Sequence, residues 1–401
     1  MDPEDLRAAR LFGKHVCDAH IEDEWLASWV RGNGKSTTCD YCKRRGADPF
    51  AADVGELAEI VLAGLETAYG NADDEGVPWE GGYVLVQPML SVELIDDEGP
   101  FNTTELIDDI ANAIPHDVWV QRDFIRLSPF QRLRYGWDSF VELVKHHSRY
   151  FFGFQKTEED DPDDISPVGL LEHIGAAVEE VGALQTLSVG TELFRARTHE
   201  ATEHPTRAAE LGTAPVEYAT SSNRMSAAGV PMFYGSLDAG TAREEAVSAD
   251  PEGFPSVTVG TFETLRPMRV IDFTCPVDVP SLYDPERGHR RGELGFLRSF
   301  VDELGVPVTR GRTEHIEYVP TQVVTEYLRS VFAPRDGGVI DGLMYRSTQR
   351  PRSANVVLFI LNEDAIDGDG TGEEDAGVLP RRPATLRLID VYQTRRSDVM
   401  P

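Results

Sequence analysis

The chain has 401 residues, a length that suits two or three domains with room for buried cores. Apolar residues make up 41% of it and aromatic residues 9%, which excludes a disordered polymer. Against 38 Lys and Arg stand 69 Asp and Glu, a formal net charge of −31 that argues against nucleic acid and against an anionic membrane surface as partners, since both call for clustered cations. No stretch reaches the ~18 apolar residues of a membrane span. The opening MDPEDLRAARLFGKHV has no basic-then-apolar leader pattern, and four cysteines do not make a disulfide framework. The expectation is a cytoplasmic protein that does not touch membranes.

Taken in chain order, residues 1–50 stand apart, with three of the four cysteines and a basic end at Lys43–Arg45. From Asp53, Val54, Leu57, Ile60, Val61 and Leu65 recur at helical spacing. A second helix is predicted after Asn102 as N-cap, with Leu106, Ile107, Ile110 and Ile114 on one stripe. A third runs through WDSFVELVKHHSRYFF. GYVLVQPML at 82–90 fits strand or helix equally. The carboxylate run KTEEDDPDDISP at 156–167, with two prolines, reads as an exposed hinge. Residues 168–189 read as one more helix ending near Gly190. Beyond it the pattern changes to short β-type runs (TELFRAR, SVTVGTF, MRVIDF, GLMYRS, NVVLFI, LRLIDVYQT) interleaved with helical ones (TAREEAVSA, GELGFLRSFVDEL, TQVVTEYLRSVF). DGDGTGEED at 367–375 is an acidic loop. The predicted organisation is α+β: a small N-terminal zinc knuckle (1–50), a helical domain (51–165) and a mixed-sheet domain (166–401).

Cys17-x2-His20 followed by Cys39-x2-Cys42 is a metal-ligand pattern. Two-residue spacings bring both members of a pair to one ion, and three thiolates with one imidazole suit tetrahedral structural zinc with no open position for chemistry. Such an ion staples a segment too short to build a core. His15 lies close by, but its spacing fits less well.

In the last half, Arg224 is followed by Gly229 and Pro231, by Tyr234 ten residues on, and by Thr241, Ala242 and Glu245 in T-A-x-x-E. This stretch resembles the RES-domain family of bacterial NAD-degrading toxins. The resemblance extends over about 191–394. It matches Ser347, ahead of the NVVLF run, to the family serine, with Ser353 the weaker choice, and Arg195 in LFRAR to the arginine of the first strand. It implies an ADP-ribosyltransferase-like fold, NAD+ as substrate, and cleavage of the nicotinamide–ribose bond with phosphate or water as acceptor. Together with the knuckle and the helical middle, the chain is similar to proteins in which a HEPN-like region precedes RES.

The chemistry asks for the same residue types. Breaking an N-glycosidic bond passes through an oxocarbenium-like state that a carboxylate stabilises, and Glu245 is the candidate. Arginines supply forked donors to a pyrophosphate, and Arg224, Arg195 and Arg197 are the candidates. Tyr234 suits stacking on nicotinamide or bonding a ribose hydroxyl, and Ser347 suits holding a carboxamide or phosphate oxygen. Singly, each of these is more often a surface or turn residue, and only their joint spacing carries the reading. Thr241-x-x-Glu244 reads as a capping box, which gives Glu244 a structural task and leaves Glu245 for the cleft.

No GxGxxG fingerprint is present, which fits cleavage of NAD better than redox use. A HEPN-type R-x4–6-H spacing occurs before residue 190 only at Arg10…His15, so RNase action is not expected. The expected protein is a toxin or defence effector that self-associates and answers to an inhibitor or trigger protein. The alternatives are ADP-ribosyl transfer to a macromolecule and a non-catalytic module that binds NAD or ADP-ribose.

Overall fold

The computed structural model describes residues 13–115, 118–154, 163–250, 252–305, 313–347, 349–350, 352–368 and 383–399. Most of the 156–167 hinge and of the 367–375 acidic loop lies outside them, as does Arg10. The architecture is α+β, with a helical N-terminal part and a large mixed sheet in the C-terminal part. Contacts divide the chain into two compact units, Met1–Arg132 with Val279–Gly295, and Leu133–Asp278 with Phe296–Pro401.

In the first unit four helices are described: α1 (Glu24–Gly32), α2 (Val54–Ala68), α3 (Ser91–Glu98) and α4 (Thr104–Ala113). The α2 helix starts where Asp53 Oδ1 accepts the amides of Gly55 (2.9 Å) and Glu56 (3.1 Å), which satisfies donors that the helix itself cannot. It buries Val54, Leu57, Val61 and Leu65 of the predicted stripe. The α4 helix buries Leu106, Ile107 and Ile110, but its cap is Thr103 rather than Asn102, whose amide instead binds Ala19 O and Glu22. The cysteine-bearing segment joins this core. His15–Val16 pairs with Ala52–Asp53, and Val16 and Ile21 are buried with the α1, α2 and α4 side chains. In the ambiguous 82–90 stretch only Met89–Leu90 forms a strand.

In the second unit the predicted third helix begins earlier and ends sooner than its sequence pattern. The α5 helix spans Pro129–Glu142, and Leu143–His147 widens into a π-turn. The α6 helix (Pro167–Glu180) also stops short of Gly190. Gly182, at φ +67°, turns the chain into the left-handed region that glycine tolerates, and residues Leu184–Leu187 are a strand rather than helix.

That strand, β1, edges a nine-stranded sheet with β2 (Glu192–His199), β3 (Phe233–Ser236), β4 (Ser256–Thr264), β5 (Met268–Asp272), β6 (Gly342–Arg346), β7 (Ala354–Leu358), β8 (Ala365–Asp367) and β9 (Leu386–Arg395). The order is β8-β9-β4-β2-β3-β7-β6-β5-β1. Only β5–β6 and β8–β9 are parallel. Three longer helices lie in the C-terminal half, α7 (Ala239–Ala249), α8 (Arg291–Leu304) and α9 (Val319–Ser330), besides the single turns Ala208–Leu211 and Glu314–Glu317. Phe233, Phe262, Val270, Val356 and Leu358 are buried in the sheet core.

Candidate active site and metal centre

The site begins with a gap in the sheet. The β2 strand pairs with β4 along all eight residues and β3 pairs with β7 along all four, but β2 and β3 pair only at Phe194–Ser236. A cavity of about 440 Å³ opens at this splay, within the range of small-molecule sites. Phe194, Arg195 and Ala196 line it from β2, and Tyr234 and Gly235 from β3. A side chain at Gly235 would bring its Cβ within 2.7 Å of the Phe233 ring and 3.1 Å of the Phe194 carbonyl, so glycine is what lets the strands meet at their one pairing point.

One wall is α7, whose Ala242, Glu245, Ala246 and Ala249 face the cavity. The helix is capped by Asp238, whose Oδ1 accepts both the amide (2.7 Å) and the hydroxyl (2.8 Å) of Thr241. The expected capping box is therefore corrected. Thr241 is a donor to the cap and not the cap. Glu244 instead holds Arg350 in a two-pronged contact, accepting from Nε at 2.8 Å and Nη2 at 2.5 Å.

Glu245 is pinned. Its Oε1 accepts the Ser347 hydroxyl at 2.6 Å and the Asn355 side-chain amide at 2.9 Å. Ser347, 2% exposed, also accepts the amides of Gln349 (3.2 Å) and Arg350 (3.1 Å) through its Oγ. Its hydrogen-bonding capacity is spent inside the protein, and it sits behind Glu245 rather than among the residues that line the cavity.

Arg195 brings a cation into the cavity wall. Its Nη1 donates to the Tyr234 carbonyl at 2.9 Å, and its guanidinium lies 5.4 Å from the Phe233 ring centre. Among the described residues it has no carboxylate in ion-pair contact. Burial, with Arg197 adding to it, pushes its pKa down to about 10. Arg197 itself is exposed, donates to the Glu210 carbonyl at 3.0 Å and does not line the cavity. Tyr234 is bonded to the Ser226 hydroxyl at 2.9 Å, and burial pushes its phenol up to about 12. A further wall carries Arg224, over the Tyr318 ring at 5.7 Å and bonded to the Leu304 carbonyl, together with Glu314. Asn355, Tyr345, Tyr318 and Glu314 were not singled out by sequence reasoning. Asn355 alone had a signal, since it opens the NVVLF run.

The second centre is the cysteine cluster. The ligand atoms of Cys17, His20, Cys39 and Cys42 lie within 4.8 Å of one another. Cys17 Sγ and Cys42 Sγ are 3.7 Å apart, the edge of a tetrahedron with bonds of ~2.3 Å. His20 Nδ1 is held by the Thr103 hydroxyl at 2.7 Å, while Nε2 is buried without a hydrogen-bond partner among the described residues. An orphaned imidazole nitrogen turned to three sulfurs fits a metal ion, so the cluster can hold one.

Comparison with family models decides the affiliation. The model for HEPN/RES N-terminal domain 1 matches residues 32–159, and that for the RES domain matches residues 192–386. The chain is a RES-family protein with a HEPN-like N-terminal region. No curated protein and no solved structure matches it. The RES match starts at the first residue of β2 and ends at the first of β9, so it spans every residue that lines the cavity. The HEPN-type match takes in Cys39 and Cys42 but begins after Cys17 and His20. A RES domain supports an NAD-related, toxin-like function. No helix among the described residues is long and apolar enough to cross a membrane.

Proposed function

We propose that this RES protein cleaves the nicotinamide–ribose bond of NAD+ and passes the ADP-ribosyl group to water or phosphate. The observation that carries the reading is one cavity that holds a partly desolvated arginine, Arg195, with no acidic partner among the described residues, and a carboxylate, Glu245, held by two donors. A half-buried cation with no counter-ion among the described residues calls for an anionic ligand, and the pyrophosphate of NAD+ supplies one, with Arg224 as its second clamp. Ser347 and Asn355 fix the place of the Glu245 carboxylate, which stabilises the oxocarbenium charge as the bond to nicotinamide breaks. Ser347 and Asn355 act through Glu245 as positioning residues. Tyr234, neutral across physiological pH, offers its ring to nicotinamide or its hydroxyl to the ribose. In a cell this reaction drains NAD, the action of a toxin or defence effector kept in check by an inhibitor or trigger protein.

The test is incubation of the full chain with NAD+, with and without phosphate, followed by separation of products. Nicotinamide release is expected. Folded protein that binds ADP-ribose but leaves NAD+ intact would make this domain a binding module instead.

The cysteine cluster we assign to zinc, in a structural role. Cys17, His20, Cys39 and Cys42 would hold it, and Thr103 fixes the imidazole so that Nε2 faces the ion. One zinc per chain is expected by elemental analysis, and Thr103→Val should weaken zinc retention against a chelator by about 10–100-fold. Metal-free protein with a Cys39–Cys42 disulfide would refute the assignment.

A further inference from the structure

The segment that brings Arg224 to the cavity has no regular structure of its own. Residues 219–232, between Tyr218 and Phe233, form neither helix nor strand, and Ser222, Asn223 and Arg224 all line the cavity. Such a stretch has no ladder to satisfy its main-chain carbonyls, so other groups must do it. Those groups come from α9. The Gln322 side-chain amide donates to the Asn223 carbonyl at 2.7 Å, the Ser222 hydroxyl at 2.8 Å and the Ser226 carbonyl at 3.2 Å. The Thr321 hydroxyl donates to the Arg224 carbonyl at 2.5 Å, and the Thr325 hydroxyl to the Met225 sulfur at 3.3 Å. Each residue from Ser222 to Ser226 is thus held by a side chain of the helix.

Gln322 is 6% exposed and sits among the buried residues of α9. Burying an amide is costly unless its hydrogen bonds are made, and every side-chain partner of Gln322 among the described residues lies in this segment. The same end of the helix also steadies the head of Arg224. Its guanidinium lies 5.7 Å from the ring centre of Tyr318, the residue before α9, whose carbonyl is 3.0 Å from the Thr321 hydroxyl. Gln322 itself does not line the cavity.

We propose that Gln322 is a positioning residue for ligand binding: its amide, with the Thr321 hydroxyl, fixes the 222–226 segment so that Arg224 meets an anionic ligand already in place. The proposal rests on the reading of Arg224 as a pyrophosphate clamp. Without the Gln322 amide, the Ser226 carbonyl keeps the Asn223 backbone amide as a donor at 2.8 Å, and the Ser226 hydroxyl keeps Tyr234. The loss therefore falls on Asn223 and Arg224. An arginine left to sample several orientations must be ordered at the moment of binding, which lowers affinity.

The test is a double-mutant cycle in the full chain, read as ADP-ribose affinity by calorimetry and as steady-state rates with NAD+. Arg224→Ala should weaken ADP-ribose by about 10–100-fold, the worth of a hydrogen-bonded contact to a charged group. Gln322→Met, of similar length but without donors, should weaken it by about 5–10-fold. Its KM for NAD+ should rise by the same factor with kcat within about 2-fold of wild type, because a pyrophosphate contact serves ground state and transition state alike. In the Arg224→Ala background Gln322→Met should cost no more than about 2-fold further. Thr321→Val, which keeps the shape and removes the donor, should show a smaller loss with the same dependence on Arg224, and it carries the test where Gln322→Met does not fold. Unchanged affinity in the folded variants, losses that add in full to that of Arg224→Ala, or a fall in kcat with KM unchanged would each overturn the proposal, the last by showing a merely structural role. Arg224→Ala that binds ADP-ribose as wild type does would instead remove the clamp from the reading of the site, and this inference with it.

Discussion

Two neighbouring acids on α7 divide the labour at the site. Glu245 Oε1 accepts from both Ser347 and Asn355. A glutamine there keeps a carbonyl oxygen for the same two donors while removing the charge. Glu245→Gln should therefore fold normally and lose at least about 10²-fold in nicotinamide release, in line with the loss of one preorganised electrostatic group. Glu244 faces Arg350, whose backbone amide also donates to Ser347. The Glu244–Arg350 contact thus ties Arg350, and through its amide Ser347, to the helix that presents Glu245. Glu244→Gln retains one acceptor for the guanidinium, and its activity should stay within several-fold of wild type. Steady-state rates at saturating NAD+ for the two variants separate these roles. Equal loss in both would mean that the Glu244–Arg350 contact, and not the charge of Glu245, is what the reaction depends on.

At the level of elements, the cavity depends on how two strands fail to pair. Gly235→Ala should cost about 1–3 kcal/mol, because the new methyl group meets the Phe233 ring at 2.7 Å and the Phe194 carbonyl at 3.1 Å, and a backbone carbonyl cannot swing away. Urea unfolding of the variant measures this, and an unchanged midpoint would show that the strands separate freely at that point. The strands themselves were legible in the sequence, since β-branched and aromatic runs such as SVTVGTF bury nearly every residue. Their order was not, because β7 lies beside β3 at a separation of some 120 residues and no local pattern encodes that pairing. The metal cluster was legible because its ligands come in tight pairs, whereas Thr103, which orients His20, lies 83 residues away. The capping box failed for a local reason. The Asp238 carboxylate, three residues before Thr241, accepts its amide and also takes its hydroxyl as a donor. The end of α6 was misplaced because apolar residues continue past Gly182 at a spacing that helix and strand share.

For the whole molecule the governing quantity is its charge. A chain of net charge −31 must capture a substrate that is itself negative overall. Far from the cavity NAD+ feels the summed field of the acidic surface, and only near its walls does it feel Arg195 and Arg224. The range of the first interaction is set by salt, about 30 Å at 0.01 M and about 8 Å at 0.15 M. The contact with half-buried Arg195 is screened much less. Raising the ionic strength across that interval should thus increase kcat/KM for NAD+, by several-fold, while kcat at saturation stays level. This is the reverse of the fall seen where a cleft of one sign steers an oppositely charged ligand. Initial rates at subsaturating NAD+ in a series of sodium chloride concentrations give the slope. A negative slope would place capture under the local field of the two arginines, with the acidic exterior too distant or too evenly spread to matter.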